Sequence, residues 1–206
     1  TAALYCAERE LGDVVLVDVV EGIPEGKGLD MLQYGPVGRF DGRITGSQDS
    51  AAMEGSDVVI VTAGIARKPG MSRLDLLQTN AKIIQSVSIN IRKYASNAIV
   101  VVITNPLDVM TYLTWKLTGF PAERVLGQAG ILDGARFAAF IGQELGVSVE
   151  DIQALVLGGH GDSMVPLVRY TTIAGVPLSN FTDQATIDKL VARARNGGIE
   201  IVNFLK

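Results

Sequence analysis

At 206 residues, 48% of them hydrophobic, with 18 basic and 22 acidic side chains and a formal net charge of -4, the chain is long enough to bury a full core as one large domain or one plus part of another. Charges of both signs alternate without a basic stripe, which excludes a nucleic-acid footprint, and no apolar run approaches the ~18 residues of a membrane span. Cys6 is the only cysteine, so an internal disulfide and a zinc site built on several thiolates are ruled out, no metal is expected, and a reducing, cytoplasmic compartment fits best.

In chain order, short β-branched runs alternate with longer helical stretches, the pattern of strand-helix-strand units that build a parallel sheet. A helix is predicted over 1–10, a strand over 13–18, a helix over 25–33, a short edge strand over 43–45, a strand over 57–62 and a long helix over 74–94. There follow a strand over 98–104, a helix over 107–117, a short strand over 124–126, a helix over 132–145, a strand over 152–157 and a helix over 183–204, with a bend expected at Gly197 and Gly198. The runs 13–18, 57–62 and 98–104 are almost wholly apolar and are expected inside a sheet, buried on both faces. A change of pattern between Gly119 and Gly127 divides the chain into domains at 1–122 and 123–206. The chain opens on Thr1 rather than methionine, and both ends read as cuts.

Ligands of open parallel sheets gather at the carboxyl ends of the strands, which here carry Asp18, Thr62 and Thr104–Asn105. Asp18 suits the hydroxyls of an adenosine ribose, or caps a turn; the glycine-rich phosphate loop that precedes such an aspartate by roughly 20 residues is absent, and 1–10 reads as the helix that follows one. Arg67 and Arg73 stand in AGIARKPGMSR (63–73), either as solvated loop charges or as planar cations that clamp a dianion when the loop folds over a pocket. Asn80, in a helical pattern, and Asn105, at a strand end, are open between structural and ligand-binding roles.

Asp133 and Arg136 are three apart and project from one helix face, as a surface ion pair or as part of a site. His160, the only histidine, lies among three glycines in GGHGDSMVP (158–166), where backbone can approach a ligand and imidazole can serve as general acid and base. If Asp133 meets His160, its carboxylate accepts from Nδ1, directs Nε2 to the reacting proton and stabilises the imidazolium.

In order and spacing, VEGIPEGKGLD (20–30), TAGIARKPGMSRLDLLQTN (62–80), TNPLD (104–108), LDGARF (132–137) and GGHGD (158–162) resemble the lactate/malate dehydrogenase family across essentially all 206 residues. The likeness is to its lactate-dehydrogenase-like bacterial malate dehydrogenase branch. The resemblance implies an α/β fold: a Rossmann-type doubly wound parallel sheet lacking its first strand and glycine-rich loop, then part of an α+β substrate domain lacking roughly the last third of the family's chain. It implies NAD as cofactor, with Asp18 on the adenosine ribose and Asn80, Ile103, Thr104 and Asn105 along the cofactor and nicotinamide side. His160 becomes the proton acceptor supported by Asp133, Arg136 the bidentate grip on the C1 carboxylate, Arg73 a contact to the reacting oxygen and Asn105 a substrate ligand. Arg67 stands where lactate enzymes of the family carry glutamine, which implies a second substrate carboxylate. The implied reaction is reversible oxidation of (S)-malate to oxaloacetate in the tricarboxylic acid cycle by a homodimer or homotetramer. Oxidation of lactate or another 2-hydroxy acid is the same-class alternative, and a non-catalytic dinucleotide-binding or assembly module the alternative from another class.

Overall fold

The structure is a computed structural model and describes residues 1–66, 70–161 and 163–204, apart from the side chain of Arg73. It forms two compact units, Thr1–Leu126 and Gly127–Lys206.

The first unit runs α1 (Ala2–Glu8), β1 (Val14–Val17), α2 (Ile23–Gly38), β2 (Ile44–Ser47), β3 (Val58–Val61), α3 (Arg73–Tyr94), β4 (Ile99–Val102), α4 (Leu107–Thr118) and β5 (Val125–Gly127). Strands β1 and β2 pair in parallel with Val14 opposite Ile44, and β3 and β4 pair in parallel with Val58 opposite Ile99. The strands form one sheet of two, β1-β2, and one of three in the order β3-β4-β5. Parallel pairing and the α/β alternation are as the sequence predicts.

Burial on both strand faces is not observed. Side chains alternate along a strand with period two, and on β1 the pair Val14 and Leu16 packs with Ala7, Phe40, Ile44 and Met31 while Val15 and Val17 stay exposed. Val58 and Ile60 of β3 are exposed in the same alternating way. The apolar composition of these strands therefore reports one packed face, not two.

Glycine sets how closely α2 lies on β2. A Cβ at Gly46 would collide with the backbone of Pro24, and one at Gly28 would come within 3.1 Å of the Gly46 nitrogen. Pro24, Gly28 and Gly35 are buried while Leu29, Leu32 and Val37 point outward, so this helix buries its small residues and exposes its large apolar ones. The start of α3 is fixed by a capping box. Ser72 Oγ accepts from the Asp75 amide at 3.0 Å, and Asp75 Oδ2 accepts from the Ser72 amide at 3.0 Å. Hydrogen bonds from Ser72 hold the Asp75 carboxyl below the usual carboxylate range.

The second unit runs α5 (Gly130–Leu145), β6 (Ile152–Gln153), β7 (Val156–Gly158), β8 (Met164–Pro166), β9 (Thr172–Ile173), β10 (Val176–Pro177) and α6 (Gln184–Phe204). The strand predicted over 152–157 is two strands with different partners. β6 joins an antiparallel sheet β10-β9-β6, whereas β7 pairs with β8 in an antiparallel hairpin. Phe137 and Ile141 of α5, Met164 of β8, and Ile187, Leu190 and Ala194 of α6 share one buried core. Helix α6 continues through Gly197 and Gly198, where the sequence predicts a bend. Among the described residues no helix is long and apolar enough to cross a membrane.

Candidate active site

The β7–β8 hairpin presents His160. Gly158, at φ +83°, has no room for a side chain, since a Cβ there would stand 2.8 Å from the Ser163 carbonyl oxygen; glycine thus permits the tight turn from which the imidazole extends. Opposite it, the first turns of α5 supply Asp133 and Arg136. They are one helical step apart and share a face.

Asp133 joins the two. Its carboxylate is almost fully buried, at 2% exposure, with Oδ2 2.9 Å from His160 Nδ1 and Oδ1 accepting from an Arg136 guanidinium nitrogen at 3.3 Å. Each oxygen therefore has a different cationic or protonated partner, and the first turn of a helix is where its amide dipoles favour a negative charge. The 2.9 Å contact is a hydrogen bond in the tautomer that carries its proton on Nδ1. Among the described residues the buried Arg136 Nε has no hydrogen-bond partner. In the second unit one carboxylate thus holds an imidazole and a guanidinium together.

In the first unit the carboxyl ends of β3 and β4 are tied together by two side chains. Thr104 Oγ1 donates to the Ala63 carbonyl at 2.7 Å. Asn80, fully buried on α3, accepts from the Ile65 amide at 2.8 Å and donates to the carbonyls of Ile65 at 3.2 Å and Asn105 at 2.6 Å. Both Asn80 amide hydrogens and one lone pair thus serve the backbone, and Gly64 leaves the necessary room, since a Cβ there would lie 2.6 Å from Thr104 Cγ2. Asn105 itself is exposed. It does not cap α4, whose N-cap is Pro106 without a side-chain bond. Ile103 is half-buried between them. Asp18 is exposed at the end of β1 and accepts from the Val20 amide at 3.0 Å, so it caps the turn.

Arg67 lies outside the described residues, and so does the side chain of Arg73, whose backbone begins α3. The sequence missed Arg195, whose guanidinium donates to the Met164 carbonyl of the histidine hairpin at 3.4 Å; on an amphipathic helix such a charge reads as solvated. It also left the Asn80 clamp unresolved, because two carbonyls from distant segments carry no local signal. Among the described residues no group of three or more His, Cys, Asp or Glu side chains is placed to hold a metal.

Residues 1–127 match the family model for the lactate/malate dehydrogenase NAD binding domain, and residues 131–205 match that for the lactate/malate dehydrogenase alpha/beta C-terminal domain. The chain is 57% identical over 207 residues to a malate dehydrogenase of Pelodictyon phaeoclathratiforme, covering 100% of this chain and 67% of that protein. It superposes on the apo malate dehydrogenase of Picrophilus torridus with a TM-score of 0.94 and 47% identity, over 98% of this chain and 64% of that one. A lactate dehydrogenase of Cryptosporidium parvum, complexed with lactic acid and nicotinamide adenine dinucleotide, superposes with a TM-score of 0.93 and 43% identity, over 98% of this chain and 66% of that one. The chain spans about two thirds of the length of these relatives.

The clamp gives a stability prediction. Asn80→Asp turns the donor that faces two carbonyls into an acceptor and is expected to cost about 2–3 kcal/mol; a urea unfolding midpoint equal to that of the parent would show that the clamp is not formed.

Proposed function

The chain belongs to the lactate/malate dehydrogenase family, and we propose that it carries the cofactor-binding and proton-transfer machinery of an NAD-dependent malate dehydrogenase, interconverting (S)-malate and oxaloacetate. The observation that carries this reading is the single buried carboxylate of Asp133 bridging His160 at 2.9 Å and Arg136 at 3.3 Å, which puts a proton acceptor and a carboxylate-binding cation under one constraint.

The residues present fit NAD. Asp18 offers an exposed carboxylate at the carboxyl end of a parallel strand, the place and chemistry suited to a ribose diol, and Asn105 follows β4 at the corresponding position on the nicotinamide side. NAD supplies the hydride acceptor for malate C2. The first unit, Thr1–Leu126, provides the cofactor site, in which Ile103 and Thr104 line the nicotinamide side. Asn80 acts there by holding the Asn105 carbonyl and the start of the 65–72 segment.

The remaining steps belong to the side chains. Neutral His160 accepts the hydroxyl proton of malate at Nε2 while Asp133 holds Nδ1–H and stabilises the imidazolium; in reverse, the imidazolium protonates the carbonyl oxygen of oxaloacetate. Arg136, partly exposed and held by Asp133, takes the C1 carboxylate through its terminal nitrogens in the bidentate geometry that guanidinium favours. Arg73 and the Asn105 amide are assigned to the reacting oxygen, the role that the family likeness gives them. Arg67 binds the second carboxylate. Closing a dry pocket over an unpaired guanidinium is strongly unfavourable, so oxaloacetate is accepted and pyruvate, which lacks that carboxylate, is rejected.

We assign the reaction to the tricarboxylic acid cycle and the protein to the cytoplasm, a reducing compartment that suits a lone cysteine. The outward apolar face of α2, with Leu29, Leu32 and Val37 exposed, supports a homodimer or homotetramer, since contiguous exposed apolar surface marks association sites.

Two kinetic outcomes test these roles in the full-length protein. His160→Asn is expected to lower kcat by about 10²–10⁴-fold with NADH binding retained. Unchanged turnover in that variant would remove His160 from the chemistry. Arg67→Gln should move preference from oxaloacetate toward pyruvate by about 10²-fold or more; an unaltered ratio of kcat/KM values would reassign the selectivity elsewhere.

A further inference from the structure

Helix α6 contains two adjacent glycines, Gly197 and Gly198, and nothing in its backbone calls for them. The helix is continuous across both, and neither is among the positive-φ glycines. Glycine is among the poorest helix formers, so local propensity favours almost any other residue at these two places.

Space distinguishes the two. A Cβ at Gly197, a buried position, would stand 3.1 Å from Arg136 Cδ and 3.5 Å from Arg136 Nε. One at Gly198 would meet only the guanidinium terminus, at 3.8 and 4.0 Å, an ordinary van der Waals contact. Arg136 therefore crosses α6 through a notch whose floor is the missing side chain of Gly197. Its far end is already committed, because Asp133 Oδ1 accepts from it at 3.3 Å, and its Nε is the buried donor without a partner. Pushing on Cδ by a few tenths of an ångström turns the plane that carries Nε and both terminal nitrogens, and a fork that must meet two carboxylate oxygens at once tolerates little rotation.

We propose that Gly197 is a positioning residue for Arg136, its absent side chain holding the guanidinium in the orientation that grips the substrate carboxylate; this rests on the reading that Arg136 binds that carboxylate. Gly198 has no such part. The same one-methyl change at neighbouring positions of one helix is thus expected to alter substrate binding at one and leave it unchanged at the other.

The test compares Gly197→Ala, Gly198→Ala and Arg136→Lys in the full-length protein, measuring kcat and KM for oxaloacetate, Kd for NADH and Tm. Gly197→Ala is expected to raise KM for oxaloacetate about tenfold, with kcat and NADH affinity within about twofold of the parent and Tm no lower, since alanine is the better helix former. Gly198→Ala should match the parent in every constant. A KM for Gly197→Ala equal to the parent's, or the same rise in both glycine variants, overturns the proposal. If Arg136→Lys raises KM while Gly197→Ala does not, only the role of Gly197 falls; if Arg136→Lys leaves KM unchanged, the assignment of Arg136 falls and this inference with it.

Discussion

One buried carboxylate organises the chemistry of the second unit. Asp133 is nearly inaccessible to water and divides its two oxygens between an imidazole and a guanidinium. A buried charge is tolerable only when paired and hydrogen-bonded, so Asp133 needs both partners as much as it orients them. Removing either leaves a charge that the interior stabilises poorly. For that reason His160 and Arg136 are coupled through Asp133, the Arg136 side of the bridge being set by three residues of helix and the His160 side by the β7–β8 hairpin.

The first unit meets a different problem, which is to hold strand ends still without blocking them. Helix α3 sends in Asn80, and the β4 end supplies Thr104; together they satisfy the carbonyls of Ala63, Ile65 and Asn105. These are backbone groups that leave the sheet and would otherwise need water. Glycine recurs where two pieces of backbone or side chain must share space: Gly46 under α2, Gly64 beside Thr104, Gly197 beneath Arg136. In each case the close approach, not a turn alone, accounts for the residue.

Much of this could be read from the chain because the signals are local. The helical pattern over 74–94 places α3, and three valine-rich runs place β1, β3 and β4, since both features repeat within a few residues. β8, β9 and β10 escaped because two or three residues cannot show a period, and 152–157 was read as one strand because nothing in the sequence marks where its pairing partner changes. His160, Asp133 and Arg136 were legible as residue types suited to the chemistry, yet a separation of 27 residues between Asp133 and His160 leaves no trace of their contact in spacing. Gly197 was read only as a place for a bend, because sequence records that a side chain is missing without recording what occupies its place. The exposed alternate faces of β1 and β3 were invisible for a similar reason: valine and isoleucine occupy both faces of these strands, so composition does not tell which one is packed.

The most direct measurement is steady-state kinetics of Asp133→Asn in the full-length protein, beside direct titration with NADH. An amide in place of the carboxylate no longer fixes the Nδ1 proton or balances Arg136. The expected result is a fall in kcat of about 10²–10⁴-fold together with a raised KM for oxaloacetate, at unchanged NADH affinity. A variant that keeps both constants at the parent's values would contradict the claim that this carboxylate holds the proton acceptor and the anion anchor together.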